Sequence, residues 1–379
     1  MNTCFQFLDK TLELYRYPKR FMHPSWQAWD SADELLINYV VEQQPDYANA
    51  HFLILNDDFG ALTSWLSPAR ITHVSDSLIA QKSCQKNIQL NHSNPTFVEY
   101  RNSLESLPDS PDWVLLKIPR TTALLEYQLA QIRKVISPTT RIMAGAKAKS
   151  IQKSTLSLFE KYLGNTHTSL AKKKSRLVFS QPQFPLTDLS LPEPTRWKSD
   201  DGVLHVVNHA NVFARQQMDI GARHLAACLP DCEGKRIADL GCGNGIIGLT
   251  VLQRTQHAKV TFIDESYMAV ASAKENVRLN FPERLVDCEF VVSNCLEQLD
   301  KETQFDIVLC NPPFHQQNTV TDHIAYQMFD DSKTKLVKGG ELRIIGNRHL
   351  DYPQTLKRLF GGYEVVGSDP KFSILSSHK

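Results

Sequence analysis

The clearest chemical signal in the 379-residue sequence is Asn311-Pro312-Pro313-Phe314. It follows the apolar run Phe305-Asp306-Ile307-Val308-Leu309-Cys310, which reads as a buried strand that the prolines end abruptly. The result is a rigid, polar-tipped loop at a strand's carboxyl end, where open α/β sheets place their ligands. A conjugated exocyclic amine is a poor nucleophile because its nitrogen lone pair is delocalised into the ring. A side-chain amide oxygen and a backbone carbonyl, each accepting one amino hydrogen, draw that nitrogen toward sp3 geometry. Asn311 would supply the first acceptor and Pro312 the second. Pro313 and Phe314 complete the candidate catalytic loop, with Phe314 able to stack on an extruded base. The competing reading is a plain turn with a helix-starting proline.

The residues upstream strengthen the chemical reading. Ile237-Ala238-Asp239-Leu240 is a strand whose exit, Gly241-Cys242-Gly243-Asn244-Gly245, allows a tight turn and close approach of backbone to ligand. The next strand ends at Asp264-Glu265, where an acid is placed for ribose hydroxyls. A third, Phe290-Val291-Val292, is followed by Asn294, placed to hydrogen-bond an adenine amino group. Before them, Phe213 and Asp219-Ile220-Gly221 lead into a helix that follows a short strand at residues 203–207. A glycine loop plus an acid suits a dinucleotide or S-adenosylmethionine. The glycine cluster with Asp239 two residues before it fits S-adenosylmethionine better than the G-x-G-x-x-G pattern. No G-x-x-x-x-G-K-[ST] is present, which argues against a phosphate-cradling nucleotidase.

Along the chain as a whole, the first half repeats the second. To about Tyr47 the pattern suggests two helical stretches, one running from Trp26 through Tyr39. Strands follow at residues 51–55, 71–74, 112–116 and 141–145, alternating with helical segments, which implies a parallel, doubly wound sheet. The stretch SLIAQKSCQKNIQLN from Ser77 aligns without gaps on SYMAVASAKENVRLN from Ser266, and Asp112-Trp113-Val114-Leu115 on Asp306-Ile307-Val308-Leu309. The first copy lacks the chemistry: Asn56-Asp57-Asp58-Phe59-Gly60 stands for the glycine cluster, and Lys117-Ile118-Pro119-Arg120 for Asn-Pro-Pro-Phe. This half is expected to fold without catalysing.

Its charge suggests another use. Residues 1–180 hold 21 Lys and Arg against 16 acids, while the whole chain is only +1. From Arg133 to Arg176 there are eleven basic residues and one acid, Glu160, ending in Lys172-Lys173-Lys174-Ser175-Arg176. Lys172, Lys173, Lys174 and Arg176 are therefore candidate phosphate contacts to RNA, set against the plainer reading of a solvated face. Four prolines in residues 181–195 mark an extended linker.

The length favours two domains. No apolar run approaches the roughly 20 residues that span a bilayer, and the first ten residues lack signal-peptide regions, so a cytoplasmic location is expected. The eight cysteines lack paired Cys-x-x-Cys spacing, so they read as reduced and structural, and no metal is expected. Nothing periodic marks an oligomer interface.

On Asp239-Leu240-Gly241-Cys242-Gly243-Asn244-Gly245, Phe262-Ile263-Asp264-Glu265-Ser266, Asn311-Pro312-Pro313-Phe314-His315 and the upstream Phe213…Asp219-Ile220-Gly221, the chain resembles the bacterial ribosomal RNA guanine-N2 methyltransferases, the RsmC/RlmG group. Asn347-Arg348-His349-Leu350-Asp351-Tyr352 and Ile54-Leu55-Asn56-Asp57 look most like the large-subunit, RlmG branch. The resemblance implies two tandem Rossmann-like α/β methyltransferase domains: a degenerate one at 1–180, a linker at 181–195 and a catalytic one at 196–379. It also implies S-adenosylmethionine and an N2-methyl group on a guanine of 23S rRNA. Guanine in 16S rRNA, adenine N6, a glutamine amide, and a non-enzymatic RNA-binding assembly factor are the alternatives. His315 is a candidate proton acceptor.

Overall fold

The computed structural model describes residues 3–19, 26–91, 97–313 and 320–379. The chain divides into two compact units, Met1–Glu193 and Pro194–Lys379.

The first unit opens with a hairpin of β1 (Cys4–Phe7) and β2 (Lys10–Glu13), followed by helix α1 (Ser31–Gln43). Two helical stretches were expected before Tyr47; the hairpin takes the place of one. Phe5 pairs with Leu12 across it and both are buried, which is alternation of period two. Leu8 takes a φ of 50° at the tight turn. Then come β3 (His51–Leu55), α2 (Ala61–Leu66), β4 (Arg70–Ser75), α3 (Leu78–Leu90), β5 (Val98–Asn102), β6 (Trp113–Lys117), α4 (Thr122–Val135), β7 (Arg141–Lys147), α5 (Lys153–Leu163), β8 (Asn165–Thr168) and β9 (Ser175–Gln181). The sheet order is β5-β4-β3-β6-β7-β9-β8.

In the second unit β10 (Thr195–Lys198) pairs with β11 (His205–Asn208), where the strand at 203–207 was expected. After them run α6 (Ile220–Ala227), β12 (Arg236–Leu240), α7 (Ile246–Arg254), β13 (Lys259–Asp264), α8 (Tyr267–Asn280), β14 (Cys288–Val292), β15 (Phe305–Cys310), α9 (Val320–Lys335), β16 (Leu336–Asn347), α10 (Tyr352–Phe360), β17 (Glu364–Ser368) and β18 (Phe372–His378). The order β14-β13-β12-β15-β16-β18-β17 reproduces that of the first unit strand for strand.

The first five strands of each sheet are parallel, as the alternation with helices requires. The last two run antiparallel, because a short turn joins them and a parallel crossover needs a longer connection. Both faces of each sheet are covered. In β3, Phe52 and Ile54 enter one core and Leu53 and Leu55 the other; in β12, Ile237 enters one and Ala238 and Leu240 the other. Of the proline-rich stretch 181–195, Leu186, Leu189 and Leu191 pack against a core of the first unit, and the division falls between Glu193 and Pro194. Among the described residues no helix is long and apolar enough to cross a membrane.

Candidate active site

The central strands of the second unit, β12 to β15, end on one edge of the sheet, and the residues singled out by sequence gather there. Gly243 has a φ of 54° and a Cβ added to it would meet nothing within 4 Å, so its backbone faces open space. Gly245, with φ of 81°, caps α7 in the left-handed region, and a Cβ there would lie 2.9 Å from that of Ala273 on α8. The first glycine keeps room for a ligand and the second lets two helices close up. Gly241 lies against Met328. Asn244 is buried, its Oδ1 accepting from the Ile246 N–H at 3.1 Å, a turn that leads into α7.

Asp239 accepts from the Gly248 N–H at 2.8 Å and so ties β12 to the first turns of α7. Burial pushes its carboxyl up to about 7, the Gly248 bond opposes that, and the charge of Asp264 adds to it. Asp264 accepts from the Gly243 N–H at 2.9 Å and the Ser266 N–H at 3.0 Å, which locks the open loop against the end of β13. Its pKa is also raised by burial, against the backbone N–H groups that favour its charged form. Glu265 is half-buried beside it. Asn294 follows β14, buried, and its Nδ2 has no hydrogen-bond partner.

Asn311 follows β15 directly. Its Nδ2 donates to Asp219 Oδ2 at 3.2 Å, while its Oδ1 is buried with no partner. An ionised carboxylate only accepts hydrogen bonds, so Asp219 fixes which way the amide points. The oxygen is left for a ligand's donor. An orphaned buried acceptor costs about 1–3 kcal/mol, and such a cost persists where a ligand recovers it. Asp219, expected to bind cofactor, caps α6 through the Ala222 N–H at 3.0 Å and orients Asn311. Gly221 sits buried in the first turn of that helix. Pro312 is buried and Pro313 exposed. Phe314 and His315 lie outside the described residues. Phe213 is 63% exposed, on the segment between β11 and α6.

Sequence patterns alone did not reveal what suspends this edge. Asn276 of α8 accepts from the Val207 N–H at 2.7 Å and donates to Val207 O at 3.0 Å and Asn244 O at 2.9 Å. One amide thus joins β11, the glycine loop and α8. The signal was available: Asn87 stands at the matching place of the aligned repeat.

The four basic candidates are elsewhere, in the first unit. Lys173 and Lys174 form a turn with φ of 50° and 64°, closed by a Lys172–Ser175 bridge. Lys173 pairs with Glu34 at 2.6 Å, and Lys172 and Lys174 are exposed. Arg176 is half-buried, with its Nε unpartnered.

Residues 2–184 match the RLMG N-terminal domain family and residues 203–376 the methyltransferase small domain family. A protein of Pseudoalteromonas atlantica called ribosomal RNA large subunit methyltransferase G is 54% identical, with both chains covered completely. Its namesake from Aeromonas salmonicida is 47% identical with the same coverage. Among solved structures, the T. thermophilus 16S rRNA N2 G1207 methyltransferase (RsmC), in complex with AdoMet and guanosine, aligns with a TM-score of 0.79. It covers 100% of this chain and 97% of that one at 18% identity, a likeness of fold. On these matches the chain belongs to the ribosomal RNA large subunit methyltransferase G family.

Proposed function

We propose that the protein methylates the exocyclic N2 amine of a guanine in 23S ribosomal RNA, with S-adenosylmethionine as donor. The observation that carries this is the buried, unpartnered Asn311 Oδ1, whose orientation Asp219 fixes. The cofactor fits the chain's own residues. Asp264 and Glu265, at the end of β13, are suited to hold ribose hydroxyls, the orphaned Asn294 amide to meet the adenine, and the open face at Gly243 to admit the chain between them. When bound, S-adenosylmethionine supplies an electrophilic sulfonium methyl group and departs as S-adenosylhomocysteine, while the amine releases a proton.

The protein's part is orientation and desolvation. Asn311 Oδ1 accepts one N2 hydrogen and the Pro312 carbonyl the other, turning the nitrogen lone pair out of conjugation. The proton leaves once the nitrogen is cationic, so no strong base is required. A paired guanine hides this amine, so the base is taken from a loop or flipped out. Exposed Lys172 and Lys174 suit phosphate contacts of the same RNA, and a ribosomal substrate supports a cytoplasmic location.

Purified protein, labelled S-adenosylmethionine and unmodified ribosomal RNA, digested to nucleosides, test the reading. Label in N2-methylguanosine from the large-subunit RNA is expected. The same nucleoside from 16S rRNA alone would move the substrate, and N6-methyladenosine would overturn the guanine assignment.

A further inference from the structure

Asn208 ends β11, is fully buried, and has a side-chain oxygen without a partner. Its Nδ2 donates to Arg215 O at 2.9 Å, on the segment that leads to Asp219. Its neighbour Val207 is held by Asn276, which also holds the glycine loop at Asn244. Asn208 is thus tied directly to the segment that carries Asp219 and, through Val207 and Asn276, to the glycine loop, with an acceptor to spare.

The first unit shows where a side chain from this position reaches. There Asn87 grips Tyr15 N and O and Phe59 O, as Asn276 grips Val207 and Asn244, so Arg16 corresponds to Asn208. Arg16 Nε donates to Gln27 O at 2.8 Å, as Asn208 donates to Arg215 O. Its guanidinium lies 4.7 Å from the centre of the Phe59 ring. Burial lowers its pKa, and the charges of Asp58 and Asp30 oppose that lowering. Asp58 occupies the place of Gly243 and Asp30 that of Asp219, since each of these two, Asp30 and Asp219, caps the corresponding helix. The vestigial copy thus keeps a cation at the position that Asn208 holds in the active copy.

We infer that Asn208 is a cofactor-binding residue whose Oδ1 accepts a hydrogen bond from the α-ammonium of the methionine end. The inference rests on S-adenosylmethionine being the donor. Asp264 and Asn294 lie on one side of β12 and Asn311 on the other, so the adenosine lies toward β13 and β14. Through Arg215 O, Asn208 is tied to the segment that carries Asp219, the partner of Asn311 at the end of β15, so its orphaned oxygen is offered to the cationic donor of the amino-acid end.

The test is calorimetry on the full chain with two ligands, S-adenosylhomocysteine and 5′-methylthioadenosine, which lacks the amino-acid end. Asn208→Ala is expected to weaken the first roughly tenfold, as loss of a hydrogen bond to a charged group does, and to leave the second unchanged. Asn208→Asp, which keeps an acceptor oxygen, is expected to retain the wild-type preference between them. Equal weakening of both ligands by Asn208→Ala, no weakening of either, or loss of the preference in Asn208→Asp would overturn the inference. Failure of the wild-type protein to bind either ligand would instead overturn the cofactor assignment on which it stands.

Discussion

The two units share a scaffold down to individual hydrogen bonds and differ where a ligand would sit. Ser77 and Ser266 each cap the helix after the second parallel strand, with the same 3.1 Å contact. Asp112 accepts from the His51 N–H as Asp306 accepts from the Arg236 N–H. Asn91 and Asn280 clamp the leading strand in the same way as Asn87 and Asn276 do one turn earlier. Gly60, like Gly245, has a left-handed φ and no room for a Cβ, which would lie 2.5 Å from Cys84 Cα. The glycine that packs helices was kept, whereas Gly243, which faces open space, is matched by Asp58.

The sharpest difference is at the end of the fourth strand. Asn311 leaves an acceptor unused; Lys117, in the same place, is held by two carboxylates. Its ammonium lies 2.9 Å from Asp30 and 2.6 Å from Asp33, the former being the counterpart of Asp219. Burial alone would lower the Lys117 pKa, and the two carboxylates more than reverse it. Burial likewise pushes the Asp33 carboxyl up to about 7 against the pull of Lys117. One copy carries the cost of an unmet polar group, and the other has closed the position with an internal ion pair. Fold and function are separable here because the asparagine clamps that build the sheet edge are distinct from the groups that face the ligand.

Breaking the first unit's pair should give the largest effect on stability. Lys117→Met leaves Asp33 buried without its partner and is expected to cost about 3–5 kcal/mol, read by denaturant unfolding. Asp33 escapes the penalty by holding a proton. Its folded-state pKa is already raised above the unfolded value and would rise further, so the destabilisation should be small at acid pH and grow as pH rises through 7. Turnover per folded molecule should be unchanged; a matching loss of kcat would contradict the division of labour.

Copying the vestige into the active loop tests it from the other side. Gly243→Asp places a carboxylate where Asp58 stands, and at least a tenfold loss of cofactor affinity is expected, roughly 1.4 kcal/mol, with the fold retained by circular dichroism. Asp219→Ala removes a helix cap worth about 1 kcal/mol and frees the Asn311 amide to rotate. Its kcat should fall several-fold while cofactor affinity holds, and a drop in affinity alone would return Asp219 to the cofactor. The smallest effect concerns RNA. Lys172→Ala with Lys174→Ala should flatten the salt dependence of RNA binding by about one for each phosphate no longer neutralised, whereas an unchanged slope would make both lysines plain surface.

Much of this was legible in the sequence. Alternating strands and helices announced the parallel sheets, and the gapless repeat announced the duplication. The Asn-Pro-Pro step and the glycine cluster were enough to put Asn311 and Gly243 at the sheet edge. The opening hairpin was not legible, since Cys4–Phe7 and Lys10–Glu13 are only four residues each and stabilised by packing, with Phe5 and Leu12 in the core. Nor were the partners of the aligned polar residues. That Lys117 replaces Asn311 could be read by alignment, but its bonds to Asp30 and Asp33 join positions 87 and 84 residues apart. The pairing of Asp219 with Asn311 is likewise remote, at a separation of 92. Local patterns fix elements, and contacts across the sheet edge decide which acid binds, which caps and which orients.

In the proposed mechanism, orientation of the amine depends on Asn311 Oδ1. Single-turnover methylation of unmodified large-subunit RNA by Asn311→Ala, beside calorimetry with S-adenosylhomocysteine, tests that role most directly. The expected result is a loss of about 10²–10³ in the rate of the chemical step, the effect of removing one preorganised polar group, with cofactor affinity within roughly twofold of wild type. Near-normal turnover with intact cofactor binding would contradict it.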